Sequence, residues 1–161
     1  MWIIIPRYPN TRTYTTVLAA TPSFTNAPDS DSKIIYAFRD VVHLGDDDYG
    51  QGWESLFGTC FDMSVPINLP LQTLTMELEI YGEESRNAVI LNGNQVVFIP
   101  PQGGTQDAWS KSPVIISVPI DNIVDGNNTV SICAGEAVYP DYPGELDDFQ
   151  IRSINIIARA P

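Results

Sequence analysis

Apolar and polar residues alternate strictly between Thr73 and Ile80. Leu74, Met76, Leu78 and Ile80 occupy every second position, and threonine and glutamate fill the positions between them. Because successive side chains of a strand point to opposite faces of a sheet, this pattern predicts a half-buried antiparallel strand. A helix would distribute the same four apolar residues around its axis.

A second local pattern predicts a β-hairpin. Two apolar runs, residues 88–91 and 94–99, are separated by the pair Asn92-Gly93. Asn and Gly tolerate the positive φ angles that both central residues of a type I′ turn require. We therefore expect the two runs to pair as antiparallel strands.

Several other short runs are rich in apolar and β-branched residues and are bounded by Gly, Pro, Asn or Asp. The apolar phase of the last run shifts between Ile151 and Ile154, which predicts a β-bulge near Ser153. No helical periodicity, internal repeat or linker is evident in the sequence. The chain is therefore predicted to be one all-β domain, residues 1–161, folded as a single antiparallel β-sandwich of the jelly-roll type. The additional predicted strands are residues 3–5, 11–20, 33–39, 56–65, 114–118, 129–132 and 149–156.

The chain is strongly acidic, with 20 Asp and Glu against 8 Lys and Arg and a net charge of −12. Such a surface repels phosphate groups, which argues against nucleic acids and anionic membranes as partners. It is compatible with neutral sugars and divalent cations. No apolar run approaches the roughly 20 residues of a membrane span, and the first residues do not read as a secretory signal. We expect a soluble protein without membrane insertion, either cytoplasmic or secreted after processing.

The cysteines, the histidine and the short motifs of the sequence give little support to catalysis. Cys60 and Cys133 both fall in predicted strands, and two separate buried thiols are favoured over a disulfide bond. His43 is the single histidine, lies in a loop-like segment and is expected to be structural. The sequence contains no nucleophile elbow, phosphate loop or zinc signature. We therefore predict that the protein is not an enzyme.

Residues 70–157 contain a series of motifs whose order is informative. They are Ile80-Tyr81-Gly82, Leu91-Asn92-Gly93, Ser117-Val118-Pro119, Gly126-Asn127-Asn128-Thr129-Val130 and Asp147-Asp148-Phe149. In this order they resemble the galactose-binding-like jelly rolls of many carbohydrate-binding modules and lectins. The resemblance implies a β-sandwich fold, in a family that includes sugar-binding modules, accessory domains of hydrolases and interaction modules that bind no sugar. It also implies a structural calcium ion in such relatives, bound partly by a carboxylate at the start of the last strand, and Asp148 or its neighbour Asp147 is at the matching position here.

Three predicted loops, residues 46–53, 102–109 and 136–147, combine aromatic side chains with acids or amides. Sugar rings stack on aromatic faces, while carboxylates and amides bind their hydroxyl groups. For each tryptophan the competing interpretation is a buried core anchor, since tryptophan is usually well buried. The stacking candidates are Trp53, Trp109, Tyr139 and Tyr142, and the hydrogen-bonding candidates are Asp47, Asp107, Asp141 and Gln106.

These features support a leading hypothesis and two alternatives. The leading hypothesis is a non-enzymatic carbohydrate-binding module or small lectin for a neutral glycan. The first alternative is a structural or assembly subunit, such as a coat, fibre or protein-interaction domain, that uses the same β-sandwich without a sugar site and forms a homo-oligomer. A weaker third option is a calcium-dependent accessory or cyclase-like enzyme.

Overall fold

The computed structural model describes residues 31–46, 55–83, 85–100, 109–135 and 146–161, and within these ranges every regular element is a β-strand. No helix of the described ranges is long and apolar enough to cross a lipid bilayer. The strands are β1 (Ser32–Phe38), β2 (Val42–Leu44), β3 (Leu56–Gly58), β4 (Cys60–Ile67), β5 (Thr73–Tyr81), β6 (Ala88–Leu91), β7 (Asn94–Phe98), β8 (Val114–Val118), β9 (Gly126–Cys133) and β10 (Phe149–Arg159).

The described strands form two sheets. Sheet A has the order β3-β2-β10-β5-β8, with β1 also paired to β10, and sheet B has the order β4-β9-β6-β7. All pairs are antiparallel except β2 with β3. From β3 onward the chain passes repeatedly between the two sheets, as in a jelly roll. The predicted all-β sandwich is confirmed.

β1 and β2 lie end to end along the same side of β10. The side chain of Arg39 fills the gap between them. Its Nη1 donates hydrogen bonds to the main-chain oxygens of Phe38 (2.6 Å) and Ile154 (3.1 Å). Its Nη2 donates to Asn155 Oδ1 at 2.5 Å. The guanidinium thus satisfies a β10 carbonyl at the point where β1 ends.

The core lies between the inner faces of the two sheets. The four apolar residues of the alternating strand β5 are all at most 2% exposed, while the residues between them are partly or fully exposed. They pack in one cluster with alternate residues of β4, β6, β8, β9 and β10. The described strands therefore share a single apolar layer, and one domain over residues 1–161 stays a prediction.

Most of the local predictions are confirmed. Asn92 and Gly93 have φ angles of 51° and 81°, as a type I′ hairpin requires. The pairing of β10 with β5 shifts register between Ile151 and Ser153, where the bulge was expected. The predicted single strand 56–65 is instead divided into β3 and β4, which belong to different sheets. β4 continues through Pro66, which is tolerated because β4 pairs only with β9 among the described strands and needs no second row of N–H donors. The predicted strands 3–5 and 11–20 lie outside the described residues.

The prediction of two separate thiols is wrong. Cys60 and Cys133 are direct partners in the β4–β9 register, with Cα atoms 4.1 Å apart, and they form a disulfide bond. Their separation of 73 residues gave no hint of this contact. Only the pairing of the two strands places the cysteines opposite each other.

Candidate functional site

Trp109 is fixed at the end of β5 on the outer face of sheet A. It forms an isolated antiparallel bridge with Tyr81. The next residue, Ser110, donates its amide to Ile80 O at 2.8 Å and accepts the Ile80 amide on its hydroxyl at 3.2 Å. Since Ile80 points into the core, its neighbour Tyr81 points outward, and the half-buried Trp109 lies beside it.

Two described side chains contact the indole, and a third is bound to one of them. The Tyr81 ring is tilted by 50° with its centroid 5.5 Å from that of Trp109. Arg152 Cζ lies 4.5 Å from the Trp109 ring centroid, in a cation–π contact. The same guanidinium donates from Nε to Glu79 Oε2 at 2.6 Å. We call Glu79, Tyr81, Trp109 and Arg152 the Trp109 cluster.

The strand pattern explains why these residues meet. Glu79 and Tyr81 belong to the outward-pointing set of β5. Arg152 is the extra residue of the β10 bulge, since Ile151 pairs with Ile80 and Ser153 pairs with Glu79. A bulge redirects the side chain that has no partner, and here it turns Arg152 over the indole.

The Trp109 cluster is accessible to solvent. The side chains of Arg152 and Glu79 are 45% and 32% exposed, so their ion pair is screened by water and contributes little to stability. Such an arrangement can bind a ligand that has both an apolar face and hydroxyl groups. A ring that stacks on the face covered by Arg152 has to displace the guanidinium.

A second polar group lies on the same sheet face. Asn155 donates from Nδ2 to Glu77 Oε2 at 3.2 Å and accepts from Arg39. Glu77 and Glu79 are two residues apart on β5, which is about 7 Å along a strand. The outer face of sheet A thus presents two hydrogen-bonded groups in a row, with aromatic rings at one end.

The predicted metal ligands Asp147 and Asp148 lie elsewhere, at the buried start of β10. Asp147 Oδ2 accepts from Asn87 Nδ2 at 2.5 Å and from the Ser85 amide at 3.2 Å. Asn87 Oδ1 in turn accepts from the Gly135 amide at 2.8 Å. This carboxylate therefore ties the start of β10 to the entry of β6 and the end of β9.

Asp148 is paired with the single histidine. Its Oδ1 lies 3.0 Å from His43 Nε2, and both side chains are 1% exposed. His43 belongs to β2, not to a loop as expected, and its contact with Asp148 agrees with the structural role expected for it. The backbone at Gly45 lies so close to Asp148 that a Cβ at this position would overlap Asp148 Oδ1.

The described residues alone do not assemble a calcium site. Among them, no group of three or more His, Cys, Asp or Glu side chains is placed to hold a metal ion. Calcium prefers six to eight oxygen ligands, whereas Asp148 faces an imidazole. The calcium ion at Asp147 and Asp148 stays a prediction.

Of the eight predicted sugar contacts, the structure describes Trp109. It confirms neither the stacking role nor the alternative of a fully buried anchor, since the residue is half-buried. The other seven lie outside the described residues: Trp53, Tyr139, Tyr142, Asp47, Asp107, Asp141 and Gln106. Sequence reasoning missed Glu79, Tyr81 and Arg152. The signal for the first two was present, because both fall on the polar face of the alternating strand.

Two distant structural likenesses are among the matches to solved structures. No family model and no curated protein matches the chain. A family 35 carbohydrate-binding module from an environmental isolate is similar with a TM-score of 0.46 and 15% identity, over 78% of this chain and 97% of that one. A Paenibacillus sp. cycloisomaltooligosaccharide glucanotransferase, solved with cycloisomaltoheptaose, is similar with a TM-score of 0.37 and 12% identity, over 78% of this chain and 18% of the enzyme. Both scores are too low for the likeness to bear on what this chain binds.

Proposed function

We propose that this chain is a non-enzymatic carbohydrate-binding module or small lectin that holds a neutral glycan against the Trp109 cluster. One observation carries the proposal: the indole of Trp109 and the ring of Tyr81 lie on an accessible sheet face beside a guanidinium and a carboxylate. The C–H face of a sugar packs on an aromatic ring, and its hydroxyls hydrogen-bond to charged groups. A rigid sheet holds these groups in place before the ligand arrives.

The charge of the protein favours an uncharged ligand. At −12, the chain repels acidic polymers at low ionic strength. A neutral sugar is not repelled, and it can still bridge Arg152 and Glu79 because each hydroxyl both donates and accepts. The seven predicted loop residues belong to the same proposal as further contacts.

The test is a glycan-array screen followed by titration calorimetry of the best neutral oligosaccharide. Trp109→Ala should weaken binding by about tenfold or more, equivalent to about 1.4 kcal/mol. Phe98→Ala is the matched control, because Phe98 is also an exposed aromatic residue, at 46%, but lies on sheet B. It should leave the affinity unchanged.

Two outcomes would reject the sugar site. The first is the absence of binding to any neutral glycan at millimolar concentration. The second is an equal loss of affinity in the Trp109 and Phe98 variants. Bound oligosaccharide should also be recovered uncleaved after prolonged incubation, since the proposal includes no catalysis.

The structural calcium ion is proposed with the same fold. If Asp147 and Asp148 contribute to such a site, added calcium should raise the Tm and magnesium at equal concentration should not. An unchanged Tm across calcium concentrations would remove the metal from the proposal without affecting the glycan site.

A further inference from the structure

Within the described strands, β8 lies at one end of sheet A and is apolar along most of its length. Among the described strands it pairs with β5 alone. Its five residues, Val114–Val118, carry no charge. Ile115 on its outer face is 66% exposed, the largest value among the exposed large apolar residues of the described ranges. Such an edge leaves a row of main-chain N–H and C=O groups available for pairing.

The other free edges in the described part of the chain are protected. β3 has three residues. β4 contains a charged residue, Asp62, and a proline, Pro66. Register shifts interrupt the pairing of β1 with β10 and of β7 with β6. Charge, proline, short length and bulges are the usual means of preventing strand addition, and β8 has none of them within its own span.

We propose that β8 is a dimerisation edge, which pairs antiparallel with β8 of a second copy about a two-fold axis at Ile116. In this register Ile115 lies opposite the partner's Ser117, and Val114 lies opposite the partner's Val118. Val114, Ile116 and Val118 are the inward-pointing residues of the strand. The pairing therefore extends sheet A and its apolar layer across both copies.

The charges that flank β8 fit this register. Lys111 precedes the strand and Asp121 follows it, and both are exposed. The two-fold pairing brings each Lys111 to the same end of the shared edge as the partner's Asp121, where the opposite charges attract. Pro113 and Pro119 lie opposite each other and end the ladder. Two copies at −12 repel elsewhere, which favours approach through an edge with this complementarity.

The expected dimer is weak. Two five-residue strands exchange roughly four to six main-chain hydrogen bonds, and such a contact is smaller than the roughly 1,200 Å² of a stable interface. Dimerisation should therefore depend on protein concentration. The axis is perpendicular to sheet A, so both Trp109 clusters would face the same side. The inference does not rest on the sugar proposal.

The test is analytical ultracentrifugation of the full chain over a wide concentration range. The weight-average mass should rise from monomer toward dimer. Ile115→Lys should weaken dimerisation by at least tenfold. Ile34→Lys is the matched control, since Ile34 is also an exposed isoleucine, at 41%, but on β1 at the other side of β10. It should leave dimerisation unchanged, and thermal unfolding should show both variants folded.

A charge exchange tests the register. Lys111→Glu and Asp121→Lys should each weaken the dimer severalfold, and the combination should restore it. A wild-type chain that is monomeric at every concentration would overturn the proposal. So would an Ile115→Lys chain that dimerises like wild type, or a double variant that is no better than the single ones.

Discussion

Breaking the bond between Cys60 and Cys133 should destabilise the protein strongly. The bond closes a loop of 73 residues, which contains β5 to β9 in addition to the β4 strand in which it begins. In the unfolded chain, the bond removes conformations in which the two cysteines are far apart. Its loss therefore lowers the free energy of unfolding mainly by raising the entropy of the unfolded state.

The loop length sets the magnitude. For a loop of this size, the chain-entropy relation gives about 15 cal/mol/K, or about 4 kcal/mol at 25 °C. Domains are usually stable by about 5–15 kcal/mol, so this is a large fraction of the total. At about 2–4 °C per kcal/mol for a chain of this length, the Tm should fall by about 8–16 °C.

Urea denaturation of the oxidised chain and of Cys60→Ala, Cys133→Ala and the double variant measures the effect. Because either substitution removes the whole cross-link, each single variant should lose nearly as much stability as the double variant. Two independent thiols would instead give small losses that add. Additive losses, or a double variant within about 1 kcal/mol of wild type, would refute the reasoning.

Three further changes have defined outcomes. Gly45→Ala should lower the free energy of unfolding by more than about 2 kcal/mol, because its Cβ would overlap Asp148. Gly58→Ala, which has nearly the same φ (148° against 147°) but nothing within 4 Å of the added Cβ, should cost clearly less. Burial raises the pKa of Tyr36 above its ordinary 10.0, so the folded state retains a proton that the unfolded chain releases. The contribution of Tyr36 to stability should be constant below pH 10 and should be lost as the pH rises beyond it, so Tyr36→Phe should reduce the loss of stability at high pH. Arg39→Lys should cost about 1 kcal/mol, measured by urea denaturation, because an ammonium group cannot reach the three acceptors of the guanidinium.

Local patterns predicted the strands well because they depend on neighbours in sequence. The alternation in β5 indicates a strand with one buried and one solvated face. The Asn92-Gly93 pair indicates a turn with positive φ angles. The bulge in β10 was visible as a phase shift of the apolar residues before Ile154. Each of these signals extends over ten residues or fewer.

Contacts between distant segments could not be predicted in the same way. The disulfide bond requires that β4 pair with β9, and no local pattern states which strands are neighbours. The Trp109 cluster has the same origin, because Arg152 reaches the indole only through the register between β10 and β5. Sequence reasoning placed the aromatic candidates in loops, and the described part of the site lies mainly on a sheet.

The position of β10 between β5 and the β1–β2 pair determines when sheet A can form. Among the described strands β1 pairs with β10 alone, and the link between Arg39 and Asn155 spans 116 positions. Contacts of such long range are established late and slow the search for the native state. During synthesis on the ribosome, the edge of β5 that pairs with β10 must therefore stay unpaired until β10 emerges, and a partly folded chain with an unpaired strand edge is prone to aggregation.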